Sequence, residues 1–179
     1  MKAFKQIIFL TTDLKRWKTP SIKERFYNVF EFGIWATILY RMSRMLFLLD
    51  IPVVKIVFRL ASFLIFKLSE ILFKVSIPAS VDIGPGLYIG HISSIFFHHT
   101  VKAGKNLSVG QGVTIGTRGV GHKGAPVIGD NVYIGTGAKI LGAINIGNNV
   151  KIGANAVVIH DVSDNSTAVG IPARIVDKE

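Results

Sequence analysis

Aliphatic residues recur at every sixth position through the second half of the chain. Ile83-Gly84, Ile89-Gly90 and Ile134-Gly135 are three of twelve such repeats, which are interrupted only by one step of eight residues and one of thirteen. This period is typical of a parallel β-helix, in which three hexapeptides form one triangular coil and the aliphatic side chains point inward. The pattern predicts β-helical coils over residues 76–179, and the spacing alone leaves their handedness open.

Residues 1–75 follow a helical period instead. The sequence SIKE at residues 21–24 matches a capping box and predicts a helix that begins near residue 22. A second helix is predicted between Gly33 and Leu49, and it carries one polar stripe. That stripe comprises Thr37, Tyr40, Arg41 and Arg44. From Val53 to Lys74 the polar positions cover a narrow arc, so the wider face of this third helix is aliphatic and aromatic.

The charge of the chain is concentrated in its apolar half. The net charge is +10 and hydrophobic residues make up 49% of the sequence. Residues 1–75 contain 13 Lys and Arg against 5 Asp and Glu, whereas residues 76–179 contain 8 against 6. The spacers between the basic residues are Leu, Ile, Val and Phe, which argues against a nucleic-acid surface and favours anionic lipid headgroups.

Two interpretations fit this basic, apolar segment. In the one we favour, residues 1–75 lie on an anionic membrane without crossing it, because no uncharged run approaches the length of a bilayer span. In the other, they form a helical cap that packs on the β-helix or on a neighbouring subunit. With no convincing signal peptide at the start of the chain, we expect a cytoplasmic protein, peripheral on the inner face of the cell membrane.

The candidate chemistry lies in the histidines, since the chain has no cysteine for a thiolate nucleophile or thiolate metal site. Residues 89, 109, 134 and 152 begin equivalent hexapeptides once the two longer steps are removed. The residues two positions further on should form one outward-facing column, with Gln111 one coil away from His91. This column comprises His91, Gln111, Thr136 and Ala154. The thirteen-residue step places a glycine-rich loop with His122 at residues 117–126, projecting from one corner.

These motifs resemble a known family of enzymes. The segments IGHISSI, QGVTIG, PVIGDNVYIGTGAKILG and VGIPARIV, with the projecting loop, are similar to the serine O-acetyltransferase branch of the hexapeptide acyltransferases over residues 76–176. The resemblance implies a left-handed β-helix, a homotrimer with active sites in the clefts between subunits, and acetyl-CoA as co-substrate. It also implies that His91 is the general base, with no permanently bound cofactor.

The remaining site residues follow from this resemblance. A neutral imidazole can take the proton of an acceptor hydroxyl, and Gln111 is a candidate donor to the developing oxyanion. Ser93 and His122 are candidate substrate contacts, whereas His98 and His99 are interpreted as surface residues and no metal is expected. The family runs the pantetheine arm of acetyl-CoA along the prism, parallel to its axis. That path comprises Thr136, Gly137, Ala138, Ala154, His160 and Arg174.

Three positions depart from the family pattern. Gly90 replaces an aspartate directly before the catalytic histidine, Ser76 replaces the acid that pairs with it, and Gly124-Ala125 replaces the Arg-His of the loop. We therefore expect the acceptor to be a sugar hydroxyl in surface polysaccharide or lipid-linked glycan assembly. The alternatives are a serine O-acetyltransferase of cysteine biosynthesis and a non-catalytic structural β-helix. Gln111, Ser76 and Asp82 remain open as partners of His91.

Overall fold

A computed structural model describes residues 2–17, 31–119, 121 and 123–176 of the chain. The helix start predicted near residue 22 and the candidate substrate contact His122 lie outside the described residues. Within the described ranges, three α-helices precede fifteen β-strands. The helices are α1 (Lys5–Lys15), α2 (Phe32–Leu48) and α3 (Lys55–Phe73).

The strands form a left-handed parallel β-helix with three faces. The first face contains β1 (Val75–Ser76), β4 (Ile95–Phe97), β7 (Thr114–Gly116), β10 (Lys139–Leu141) and β13 (Val157–Val158). The second contains β2 (Asp82–Ile83), β5 (Lys102–Ala103), β8 (Val127–Ile128) and β11 (Asn145–Ile146). The third contains β3 (Tyr88–Ile89), β6 (Ser108–Val109), β9 (Tyr133–Ile134), β12 (Lys151–Ile152), β14 (Thr167–Gly170) and β15 (Ala173–Val176), the last antiparallel to β14. The fold predicted from the six-residue period is therefore confirmed.

The six-residue repeat produces a stable β-helix because each face contributes one aliphatic residue per coil to a continuous core. On the third face Ile89, Val109, Ile134 and Ile152 are paired in register and are at most 2% exposed. Asparagines at one corner adopt positive φ angles near 57°, which this residue tolerates better than most. Their side chains are hydrogen-bonded in a ladder along the axis that comprises Asn106, Asn131, Asn149 and Asn165.

The two longer steps fall at the same corner of the prism, in successive coils. The eight-residue step lies between β4 and β5, and the thirteen-residue step lies between β7 and β8. In the longer loop, a side chain added at Gly119 or Gly121 would meet nothing within 4 Å. The loop is therefore open at Gly119 and Gly121, which agrees with the projection that the spacing predicted.

Helix α2 lies against the first coil through its polar stripe. Arg41 is 1% exposed and binds the carboxylate of Asp13 on α1, with Nε at 2.7 Å from Oδ2. Its remaining N–H groups donate to Gln6 Oε1 and to the carbonyls of Ile83 and Gly84. These arginine contacts are internal, so the polar stripe of α2 faces the chain's own first coil and α1.

Helix α3 packs with its small polar residues inward and its broad apolar face outward. Ser62 exchanges hydrogen bonds with Ser43 of α2, and Ser69 donates to the carbonyl of Val75. The exposed residues are Ile56, Val57, Leu60, Phe63, Leu64, Leu68, Ile71 and Leu72. The apolar face is thus not used against the chain's own β-helix. No helix among the described residues combines the length and the apolar character that a membrane span requires.

Candidate functional site

The predicted outward column is present on one corner of the prism. His91, Gln111, Thr136 and Ala154 each lie two residues beyond a register-paired core residue of the third face, and all four are exposed. Successive coils are separated by about 4.8 Å, so three coils from His91 to Ala154 extend over about 15 Å along the axis. The column therefore offers a linear surface that begins at a histidine.

His91 opens into a cavity between the β-helix and the start of α2. The cavity has a volume of about 230 Å³ and contains both His91 and Gln111. Its full lining comprises Glu31, Phe32, Gly33, Gly90, His91, Ile92 and Gln111. An imidazole, an amide and a carboxylate thus share one small, partly apolar space.

A glycine at the start of α2 makes this cavity possible. A Cβ atom added at Gly33 would lie 1.9 Å from the carbonyl oxygen of Ile89, so only glycine permits the helix to approach β3 this closely. Ile89 is two residues before His91. The close contact therefore sets the separation between the helix start, where Glu31 lies, and the histidine.

The turn after His91 is held by the next coil. Ser93 and Ser94 have positive φ angles of 108° and 53°. The carbonyl of Ser93 accepts a hydrogen bond from Gly112 N–H at 2.9 Å, next to Gln111. Ser93 is exposed but does not line the cavity of His91, so its predicted contact to substrate stays a prediction.

Of the candidate partners of His91, only Gln111 lines its cavity. Asp82 is instead paired with Arg44 of α2. Ser76 donates to Glu70 Oε1 at 2.6 Å, and Glu70 also accepts from Lys67 Nζ at 2.6 Å. Burial raises the pKa of Glu70, but these two hydrogen bonds and the Lys67 charge outweigh it and the pKa falls below its usual range.

The sequence reasoning missed Glu31. It directly precedes α2, is half-buried, and lines the cavity that contains His91. No repeat or motif connects residue 31 with residue 91, because the contact joins a helix start to a coil of the other architecture. The available signal was a single acid ahead of a glycine at the start of an otherwise apolar segment.

The residues predicted to bind acetyl-CoA differ in their exposure to solvent. Thr136 and Ala154 are exposed on the column, and Gly137 is half-buried with a φ of 73°. A Cβ atom at Gly137 would lie 2.0 Å from Asn155 Oδ1, so a glycine is needed and no side chain covers the backbone there. Ala138 is fully buried inside the prism, so its side chain offers no surface to a cofactor. His160 and Arg174 are exposed towards the last coils.

A second cavity lies at the base of the projecting loop. It has a volume of about 590 Å³, and its lining includes His98, Lys102 and Lys123. His98 is half-buried, its Nδ1 lies 2.9 Å from Thr100 Oγ1, and its ring is 4.1 Å from that of His99. Burial and the neighbouring His99 lower the pKa of His98. Among the described residues, no three histidines or acids are grouped in a way that would hold a metal ion.

Comparisons with known proteins agree with the β-helix fold and indicate the type of reaction. The family model described as bacterial transferase hexapeptide (six repeats) matches residues 125–160. A serine acetyltransferase of Bacillus subtilis is 39% identical over 115 residues, which are 63% of this chain and 52% of that protein. The chain spans about half the length of the curated relatives it matches.

Two solved structures match almost the whole chain. The crystal structure of Neisseria gonorrhoeae serine acetyltransferase in complex with serine has a TM-score of 0.79 and 31% identity, covering 96% of this chain and 69% of that one. Serine acetyltransferase from Brucella abortus in complex with coenzyme A has a TM-score of 0.81 and 29% identity, covering 93% and 66%.

These matches correct one expectation. The sugar acceptor of polysaccharide assembly, inferred from Gly90, Ser76 and Gly124-Ala125, is wrong, since the relatives and solved structures are serine acetyltransferases. By its repeats, its fold and these relatives, the chain belongs to the hexapeptide-repeat transferase superfamily.

Proposed function

We propose that the protein is an acetyl-CoA-dependent O-acetyltransferase whose acceptor is L-serine. The observation that carries this proposal is the exposed His91 in a cavity with Gln111, at the start of a column that runs along the prism. The serine and coenzyme A complexes of the matching structures support the choice of the two substrates.

The proposed reaction uses His91 as a general base. Its imidazole takes the proton of the serine hydroxyl as that oxygen attacks the thioester carbonyl of acetyl-CoA. The new C–O bond forms, the C–S bond breaks, and the coenzyme A thiolate takes the proton back from the imidazolium. The Gln111 amide, on the same cavity wall, donates to the carbonyl oxygen while it carries negative charge.

Acetyl-CoA is proposed to lie along the outward column. Thr136 and Ala154 give it a shallow exposed surface, and the turn at Gly137 keeps the backbone accessible. Arg174 and His160 are proposed to meet its phosphates, because both are exposed and a guanidinium is well suited to phosphate oxygens. Acetyl-CoA is a cytoplasmic metabolite, which agrees with the expected cytoplasmic location.

A homotrimer is part of the proposal. Phe96, Val127 and Tyr133 project from three different strands and are 47%, 46% and 52% exposed. Large apolar side chains on the flat faces of a prism are natural contacts between subunits. Such packing would also cover the open side of the His91 cavity, as expected for active sites at subunit clefts.

We also propose that the apolar face of α3 contacts an anionic membrane. The face is bordered by Lys55, Arg59, Lys67 and Lys74, and its most exposed members are Ile56 at 78% and Ile71 at 68%. Apolar residues with a basic border match the interface of an anionic bilayer. Co-sedimentation with vesicles of anionic and of neutral lipid tests this. Binding to neither would leave a neighbouring subunit as the cover of this face.

The function is tested by incubating wild type and His91→Ala with acetyl-CoA and L-serine, following thiol release and O-acetylserine. We expect serine-dependent release that falls by about 10² to 10⁴-fold in the variant. Coenzyme A binding without any serine-dependent release in the wild type would refute the enzymatic proposal and favour a structural β-helix.

A further inference from the structure

We propose that Glu31 is the residue that binds the ammonium group of the amino-acid acceptor. This inference rests on the proposed serine acetyltransferase function and names a further specificity-determining residue of the same site. Glu31 lines the His91 cavity together with Gln111, although it belongs to the helical part of the chain.

The position of Glu31 is firmly set by the structure around it. Helix α2 starts directly after it and touches β3 at Gly33, where no side chain would fit. About two helical turns further on, Arg41 fixes the same helix to the first coil and to Asp13. A carboxylate on such a support is presented to the cavity without being carried on a long flexible loop.

The carboxylate of Glu31 has no ionic partner among the described residues. Its side chain makes no hydrogen bond or ion pair there, whereas the other acids of the helical half that the structure describes are paired: Asp13 with Arg41, Asp50 with Lys55, and Glu70 with Lys67. A half-buried carboxylate next to Phe32 and Ile92 is less well hydrated than a surface one. A cationic ligand group would offset that cost and form a charge-assisted hydrogen bond.

Serine carries functional groups that match the Glu31 and His91 side chains of this cavity. Its ammonium and its hydroxyl are on adjacent carbons, so a carboxylate that holds the former brings the latter close to a base. Glu31 and His91 line the same cavity and are not hydrogen-bonded to one another, so an acceptor bound in the cavity can contact both. Gly90 lines it too and has no side chain, so the carboxylate of this site comes from the residue that caps α2 instead of from the residue before the histidine.

The test compares wild type and Glu31→Gln with two acceptors, L-serine and 3-hydroxypropanoate, which keeps the hydroxyl and carboxylate but lacks the amine. We expect the variant to raise KM for serine by about tenfold or more, the effect of removing one charge-assisted hydrogen bond. For 3-hydroxypropanoate, kcat/KM should stay within about twofold of wild type, because the lost contact is absent. Asp50→Asn removes an exposed carboxylate paired with Lys55 and serves as the matched control, with unchanged kinetics expected.

The outcomes separate this inference from the function on which it rests. Wild type without serine-dependent thiol release would refute both. Serine turnover with an unchanged KM in Glu31→Gln would refute only the role of Glu31. An equal loss for both acceptors, with the acid limb of the pH–rate profile displaced, would assign Glu31 to His91 and overturn its role in ammonium binding.

Discussion

The buried pair between Arg41 and Asp13 gives the sharpest prediction about stability. Replacing Arg41 by methionine keeps much of the side-chain volume but leaves the Asp13 carboxylate, which is 0% exposed, with the N–H groups of Gly86 and Leu87 as its hydrogen-bond donors among the described residues. It also removes the donors to the carbonyls of Ile83 and Gly84. Removing one partner of a buried pair typically costs about 3–5 kcal/mol, because the other charge stays buried.

The assay is thermal unfolding followed by circular dichroism. For a chain of this size, each kcal/mol corresponds to about 2–4 °C, so Arg41→Met should unfold at least about 6 °C below wild type. The exposed pair of Asp50 and Lys55, with side chains 75% and 47% exposed, is the control, and Lys55→Met should cost at most about 1 kcal/mol. Equal effects of the two substitutions would refute the reasoning, since they would mean that burial of the ion pair does not determine its contribution.

Three further predictions follow from positions with strict geometry or a displaced pKa. Gly33→Ala should lower both the unfolding temperature and serine turnover, because its Cβ would meet the Ile89 carbonyl at 1.9 Å; unaltered melting curves and kinetics would contradict this. Asn149→Ala should be less stable than Asn149→Gly by about 1 kcal/mol in chemical denaturation, because the φ of 56° favours glycine over alanine; equal midpoints would argue against it. The pKa of His98 is lowered in the folded protein, so its contribution to stability is present above the unfolded value of about 6.5 and is lost as pH falls through the lower folded pKa. His98→Gln should reduce the loss of stability between pH 7 and pH 5, measured by urea unfolding, and an identical pH slope would count against this origin.

The β-helix was predictable because its information is local and repeated. Each hexapeptide carries its own inward residue, so counting in sixes aligns Ile89 with Val109 and Ile134, and the structure pairs these residues in that register. The same counting placed His91 and Gln111 on one exposed corner. A repeat of this kind reports three-dimensional neighbours directly from sequence spacing.

The helical half was predicted less well, because its contacts join distant parts of the chain with no period to reveal them. Helical spacing placed Tyr40, Arg41 and Arg44 on one stripe, but it could not decide whether that stripe faced lipid or protein. The partner of Arg41 is Asp13, 28 residues away on another helix. Glu31 was missed for the same reason, since only the fold brings it to the cavity of His91.

The wrong acceptor was inferred by comparing single residues with a family pattern. Gly90 and Ser76 were interpreted as departures from the family pattern, and the sugar acceptor was inferred by treating each lost carboxylate as a lost function. The structure shows carboxylates near both positions from other elements: Glu31 lines the cavity with Gly90, and Glu70 accepts a hydrogen bond from Ser76. A carboxylate that is missing beside His91 in the sequence therefore still has a counterpart in the cavity, Glu31, whereas Glu70 and Ser76 do not line that cavity.

The contact between α2 and the first coil also determines where the β-helix stops. Within the prism, carbonyls of one coil accept from the coil before it, as Val101 and Ala103 do from Asp82 and Gly84 N–H. The equivalent carbonyls of the first coil accept instead from side chains, Val81 from the Tyr40 hydroxyl and Ile83 from Arg41. An uncovered coil would present a template on which another chain could polymerise end to end. The arginine and tyrosine side chains thus occupy two carbonyls with which another strand could pair, and they cover this end of the solenoid against end-to-end association.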